Sequence, residues 1–263
     1  MLRSRESQTR ALRSDDALSA AASSNPPMPP YLSGHYRWAY LWRPGVWFFD
    51  HMPIINCIVF GQYQRIVAET LKHFANPSQA GSTLLIGSAY GSLVPDLAKK
   101  IEGNPLTVID VAPIQVARAT QKLEAANLRD KVTVSRMDAE HLEFDSSSFD
   151  SALAFLLLNE LPTPARRRAL THAIRVLKPG AQLILTEYGE LGETHALHRL
   201  SILRWMVTRA EPHLDSLWRN DLSRLVDDCA RDVGKRAHMT HKSLLFNGFY
   251  RIKRFEISDD LES

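Results

Sequence analysis

The sequence predicts a doubly wound, Rossmann-like α/β fold of seven strands, and three observations predict it. Short apolar runs alternate with amphipathic helical segments from about residue 83 to residue 187, the pattern of βαβ units around a parallel sheet. The first run, Thr83-Leu84-Leu85-Ile86, enters a small-residue turn, Gly87-Ser88-Ala89-Tyr90-Gly91, that opens a helix. Asp110 closes the second run about twenty residues later, where a carboxylate can accept both hydroxyls of a ribose.

Length and composition bound the rest. A chain of 263 residues favours one core with additions over two full domains. Hydrophobic residues at 44% and charged residues at 23% are close to the averages of soluble globular proteins. A net charge of +3 is too dilute for the basic patch of a nucleic-acid binder, so no nucleic-acid partner is expected. Cys57 and Cys229 have no metal-type spacing and make no disulfide framework, which fits a reducing cytoplasm. No apolar run approaches the roughly 20 residues that span a bilayer, and no secretory signal pattern opens the chain. The Arg-, Ser- and Ala-rich opening has the composition of a transit peptide, but Glu6, Asp15 and Asp16 argue against one.

Residues 1–28 lack apolar periodicity and end in a proline cluster, so a disordered tail is expected there. An aromatic helical lid follows over 29–78: short helices divided by Pro44 and Pro53, then one longer helix from about 54 to 74. The core, 79–190, is expected to place strands at 83–87, 106–111, 132–135, 151–155 and 182–187, with helices at 93–101, 114–126 and 164–177 between them. The last of these helices should stop at Lys178-Pro179-Gly180. The remainder, 191–263, reads as amphipathic helices over 195–209 and 214–233, then strands at 236–240 and 248–256 that would form a late antiparallel pair. The helix over 195–209 carries Arg199, Arg204 and Arg209 beside Trp205 and several Leu, a pattern that either packs on the sheet or lies on an anionic bilayer.

The turn residues Gly87, Ala89 and Gly91 let a ligand approach the backbone, and the helix they open points its amides into the crevice. Asp110 and its neighbour Val111 sit at the end of strand two. Asp138 follows strand three, placed to accept from an adenine amino group, with Met137 as an apolar contact for the ring. Together with Phe144-Asp145-Ser146-Ser147-Ser148-Phe149-Asp150 and Arg175-Val176-Leu177-Lys178-Pro179-Gly180-Ala181, these features resemble the class I S-adenosylmethionine-dependent methyltransferases over about 80–190. The resemblance implies that fold and S-adenosylmethionine as cofactor, and Ala89 separates the turn from that of a nicotinamide enzyme. Two positions depart from the family pattern: Leu85 stands where an acid is common, and Ala89 where the middle glycine is usual.

Further motifs, among them Tyr36-Arg37-Trp38-Ala39-Tyr40, Phe49-Asp50, Gly61-Gln62-Tyr63-Gln64-Arg65, Glu211-Pro212 and Gly248-Phe249-Tyr250, resemble the RquA-type rhodoquinone-biosynthesis proteins over about 29–256. That resemblance implies conversion of ubiquinone to rhodoquinone, a ring methoxy group being replaced by an amino group with S-adenosylmethionine as nitrogen donor, assisted by a divalent metal such as manganese. Metal ligands in this chain are not assigned. Ser92 and Asn159 depart from the pattern, standing where an acid and a His are usual. Ordinary methyl transfer to a quinone or another aromatic small molecule therefore stays open, as does a non-catalytic binding role.

Tyr36, Trp38, Tyr40 and Tyr63 are candidate walls for a flat quinone ring; as aromatics they can equally pack a helical lid. Tyr90, inside the turn, is a candidate catalytic residue, with Asn159 and Glu160 at the end of strand four; Asn159 can instead cap a helix. Peripheral association with the inner face of the membrane is expected for a quinone with an isoprenoid tail, and the oligomeric state is not readable.

Overall fold

The computed structural model describes residues 26–34, 36–37, 41–74, 81–190 and 201–260. Four short helices lead in: α1 (Pro30–Ser33), α2 (Arg43–Phe49), α3 (Met52–Ile58) and α4 (Tyr63–Leu71), the last extended by a 3₁₀ turn at Lys72–Phe74. The sheet and its crossovers follow as β1 (Thr83–Ile86), α5 (Leu93–Lys100), β2 (Leu106–Asp110), α6 (Pro113–Ala125), β3 (Val132–Arg136), β4 (Phe149–Phe155), α7 (Thr163–Val176) and β5 (Leu177–Tyr188). Three helices, α8 (Ser201–Ala210), α9 (Leu214–Arg219) and α10 (Leu222–Arg231), precede β6 (Lys235–Leu245) and β7 (Tyr250–Asp259).

The seven strands form one sheet in the order β3-β2-β1-β4-β5-β7-β6. Strands β1 to β5 are parallel, and β7 enters antiparallel between β5 and β6. The expected late antiparallel pair is present. β1 is buried along its whole length because helices cover both faces of a parallel sheet, which is why its sequence is a continuous apolar run. At the edge, β6 is mostly exposed and carries Lys, Arg and His, which discourages pairing with another chain.

Several sequence-based boundaries move. The single helix expected over 54–74 is two helices, because Phe60 and Gly61 take left-handed φ angles of 55° and 74° that an α-helix cannot continue through. The helix expected over 214–233 also splits, and Asp221 starts α10 by accepting from the backbone of Ser223 and Arg224. Lys178-Pro179-Gly180 is no loop: α7 runs directly into β5, whose first residues pair Leu177 with Phe149 before the register shifts. Of the amphipathic segment over 195–209, residues 195–200 lie outside the described residues, as do the tail 1–25 and Trp38 and Tyr40 of the aromatic block.

Candidate active site

The carboxyl ends of the parallel strands share one side of the sheet, and strand order reverses between β1 and β4, so a crevice opens there. A cleft of about 1220 Å³ occupies that position. Along its floor the strand order sets a sequence of contributions: Asp138 after β3, Asp110 at the end of β2, the glycine turn after β1, Asn159 and Glu160 after β4, and Tyr188 at the end of β5.

The turn is held in an unusual conformation. Gly87, Ala89 and Gly91 all have positive φ, 82°, 48° and 77°, the backbone that glycine adopts freely and alanine does not. At Gly91 a Cβ would lie 2.4 Å from the Tyr63 hydroxyl, so this position must be glycine. The Tyr63 hydroxyl donates to the Tyr90 carbonyl at 2.7 Å and accepts from the Leu93 amide at 3.2 Å, pinning the turn to α4. Tyr63 does line the cleft, but its polar atom serves the backbone. Asp50, at the end of α2, accepts from the Gly91 amide at 2.9 Å and pairs with Arg118 at 2.8 Å and Lys122 at 2.5 Å. This buried carboxylate fastens the helical lid to the turn. Sequence reading placed Asp50 only in a family motif, because its partners lie in other elements.

Asp110 is the best-defined acceptor. Its Oδ2 accepts from the Ser88 amide at 2.9 Å and the Ser88 hydroxyl at 3.0 Å, and its Oδ1 from the Ala112 amide at 2.9 Å. Burial raises its pKa while these donors pull it back down. An ionised carboxylate has about four acceptor sites; three are taken, so one ribose hydroxyl can be added to this set, and a second would take the place of the Ser88 hydroxyl. Val111 beside it also lines the cleft, its carbonyl held by Arg136 at 3.0 Å. Met137 is buried and Asp138 accepts from the Glu140 amide at 2.9 Å; both line the same end. The open turn, the Asp110 carboxylate, the apolar Met137 and the Asp138 carboxylate are a set that fits S-adenosylmethionine. Leu85, by contrast, is wholly buried in β1 and presents no polar group to the methionine end.

The other end of the cleft is polar and largely aromatic. Asn159 is buried and caps no helix: its Nδ2 donates to Glu211 Oε2 at 3.2 Å, and the N-terminus of α7 has no side-chain cap. The Tyr36 hydroxyl donates to the same Glu211 oxygen at 2.8 Å. Glu160 lies half-buried in the lining, and its charge adds to burial in raising the hydroxyl pKa values of Tyr31, Tyr36, Tyr90 and Tyr188. The Tyr90 ring faces Phe49 at 6.4 Å between centroids. Beneath this end, fully buried Glu187 accepts from the amides of Leu157 at 3.1 Å and Leu158 at 2.8 Å. Burial pushes its pKa up to about 7.

The cleft thus unites Gly87, Ala89, Tyr90, Asp110, Val111, Met137, Asp138, Asn159, Glu160 and Tyr63, whereas Tyr36 is not in its lining and donates to Glu211, which is. Among the described residues no group of three or more His, Cys, Asp and Glu side chains could hold a metal ion, so manganese has no ligand set there and no step is drawn through a metal.

Residues 84–180 match the family model described as a methyltransferase domain. The ubiquinone/menaquinone biosynthesis C-methyltransferase UbiE of Cereibacter sphaeroides is 27% identical over 139 residues, 52% of this chain and 54% of that one. The demethylmenaquinone methyltransferase of Lactiplantibacillus plantarum is 35% identical over 133 residues, 50% of this chain and 55% of that one. The chain spans about half the length of the curated relatives it matches. Magnesium protoporphyrin IX methyltransferase from Synechocystis, solved with bound S-adenosylhomocysteine, superposes with a TM-score of 0.59 over 88% of this chain and 100% of that one, at 14% identity, which is a likeness of fold. Strand order and these matches make residues 84–180 similar to the methyltransferase domains, in sequence and in fold.

Proposed function

We propose that the protein is an S-adenosylmethionine-dependent enzyme that modifies the ring of a quinone or hydroquinone at the inner face of the membrane. The observation that carries this reading is the continuity of the cleft, which runs from the ribose acceptor Asp110 past Tyr90 to a mixed polar and aromatic end at Asn159, Glu160 and Tyr188. A flat ring with polar substituents needs that combination. Two of the relatives are named for quinone biosynthesis.

Within that class the RquA-type motifs favour replacement of a ring methoxy of ubiquinone by an amino group, giving rhodoquinone. The second reading is methyl transfer to the ring, favoured by the relatives' names. S-adenosylmethionine supplies an electrophilic methyl group when bound. In either reading Tyr90, Glu160 and Asn159 face the reacting ring, Asp110 and Asp138 hold the adenosine, and the aromatic lid excludes water.

Expression in a ubiquinone-containing bacterium that lacks rhodoquinone, followed by mass spectrometry of the quinone pool, tests this. Rhodoquinone in the pool supports amino transfer; a methylated quinone species supports the second reading. An unchanged pool, together with no calorimetric binding of S-adenosylmethionine by the folded protein, would leave only a non-catalytic role. With purified protein, Tyr90→Phe and Glu160→Gln are expected to lose turnover far more than cofactor affinity.

A further inference from the structure

Glu211 follows α8 directly, and its amide donates to the Val207 carbonyl at 2.8 Å, so its backbone continues the helical turn. Its side chain reaches the far end of the cleft, where two donors from distant parts of the chain converge on one oxygen: Tyr36 from the turn after α1 and Asn159 from the end of β4 both donate to Oε2. The other oxygen, Oε1, has no hydrogen-bond partner among the described residues. No ion pair of Glu211 occurs among the described residues either. One oxygen of this carboxyl is therefore fixed by two protein donors while the other is left without one, in a side chain that lines the cleft, and such a group is built to exchange a proton.

We propose that Glu211 is the proton acceptor for the reacting hydroxyl of the substrate. Its Oε1 takes the proton of a phenolic or hydroquinone O–H; the O–H bond breaks, its electron pair stays on the substrate oxygen, and the carboxylate becomes a neutral acid. The ring gains the electron density that an electrophile requires. Tyr36 and Asn159 are positioning residues that hold Oε2 and so aim Oε1. This assignment rests on the second reading, methyl transfer to the ring of a hydroquinone, and deepens it.

The electrostatics suit the role. Burial pushes the Glu211 pKa up from the ordinary carboxylate range, and the Tyr36 and Asn159 donors restrain the rise. A base near the operating pH is the most effective kind. The groups that face it are Tyr36 and His213, whose rings lie 6.4 Å apart, Asn159 and Glu160 after β4, and Tyr188 at the end of β5. Glu160 is the other acid of this end.

The test uses the full-length protein and the variants Glu211→Gln, Glu211→Asp and Tyr36→Phe. Turnover of a short-chain methoxylated hydroquinone is followed against pH, S-adenosylhomocysteine affinity is measured by calorimetry, and the carboxyl stretch of the unliganded protein is titrated by infrared difference spectroscopy. Glu211→Gln should lower kcat by roughly 100-fold or more, with cofactor affinity within about twofold of wild type. Glu211→Asp, which keeps the acid but withdraws it, should fall between them and retain an acid limb in the pH profile. Tyr36→Phe removes a donor that favours the ionised form, so the acid limb and the infrared titration should both move to higher pH. Wild-type turnover in Glu211→Gln, or an acid limb unmoved by Tyr36→Phe, overturns the proposal. If the wild type binds cofactor yet leaves the hydroquinone unchanged, the substrate reading fails and the infrared data decide separately: a carboxyl titrating near neutrality that vanishes in Glu211→Gln supports the proton site, and its absence overturns it.

Discussion

The two ends of the cleft are built in different ways. At the end proposed for the adenosine each part comes from the next strand along the chain: the turn after β1, Asp110 on β2 and Asp138 after β3, with Asp110 bonded, among the described residues, to Ser88 and Ala112 around it. At the far end the pieces come from everywhere. Tyr36 meets Glu211 across 175 residues of sequence, and Asn159 meets it across 52. One end follows from a repeating βαβ unit; the other exists only once the lid, the strand ends and the helix after β5 have all docked. The first should therefore tolerate changes elsewhere in the chain, and the second should respond to many.

The largest expected effect lies where the two constructions meet. Gly91→Ala places a methyl group 2.4 Å from the Tyr63 hydroxyl in a backbone with φ of 77°. Both the clash and the strain act on the junction between turn and lid, and a loss of at least ~4 kcal/mol in stability is expected from chemical denaturation. If Gly91→Ala folds with wild-type stability and binds cofactor, the lid is not anchored through the turn, and the contrast between the ends loses its hinge.

A second test separates the ends by pH. Glu187 underlies the far end by holding the amides of Leu157 and Leu158, and its folded-state pKa of about 7 lies above the ordinary carboxylate value of 4.5. Between those values the folded protein keeps a proton that the unfolded chain has released. Stability from this group is thus fully present below pH 4.5 and is lost as pH rises through about 7. Glu187→Gln keeps an acceptor for the two amides and removes the titration, so above neutrality it should be more stable than wild type by up to ~3 kcal/mol, with a flatter pH dependence. Equal slopes in wild type and variant would show that this acid does not govern the far end.

The same contrast explains what the sequence revealed. Parallel strands buried on both faces must be apolar runs, and crossover helices must be amphipathic, so the strands of the parallel region, their crossover helices and the turn at Gly87 were legible from periodicity and spacing. Asp110 was legible because strand-end acids fall at a fixed distance from the turn. The break at Phe60-Gly61 was missed because the apolar pattern continues through it while the left-handed backbone there leaves no mark on periodicity. Asn159 read as a possible cap because its partner is 52 residues away, and Tyr63 read as a ring wall although its hydroxyl serves the backbone of the turn. Asp50 and Glu211 entered only within family motifs. Nothing local distinguishes a buried acid from a solvated one.

At the end proposed for the adenosine, Asp110→Asn should weaken S-adenosylmethionine binding by roughly 1.5–3 kcal/mol, because the amide loses charge-assisted acceptance and keeps an oxygen for one of its two backbone donors, Ser88 or Ala112. Calorimetry at neutral pH reads it directly. Turnover at saturating cofactor should change much less, which separates this variant from Glu160→Gln and Tyr90→Phe at the other end. Unchanged affinity in a folded Asp110→Asn protein would remove the ribose assignment.

The smallest effect is expected at Asp138. One of its oxygens, Oδ1, already accepts from the Glu140 amide at 2.9 Å, and its side chain is 14% exposed, so water competes for the other. A neutral adenine amino group donates a weaker bond than a charged one, and solvent can replace part of what is lost. Asp138→Ala should accordingly reduce cofactor affinity by no more than about 1 kcal/mol, with a small further cost in stability from the freed Glu140 amide. Comparing S-adenosylmethionine with an analogue that lacks the amino group sharpens the point: wild type should prefer the natural cofactor, and Asp138→Ala should lose most of that preference. If the preference persists, the adenine amino group is read by another atom, and the run of one acceptor per successive strand ends at Asp110.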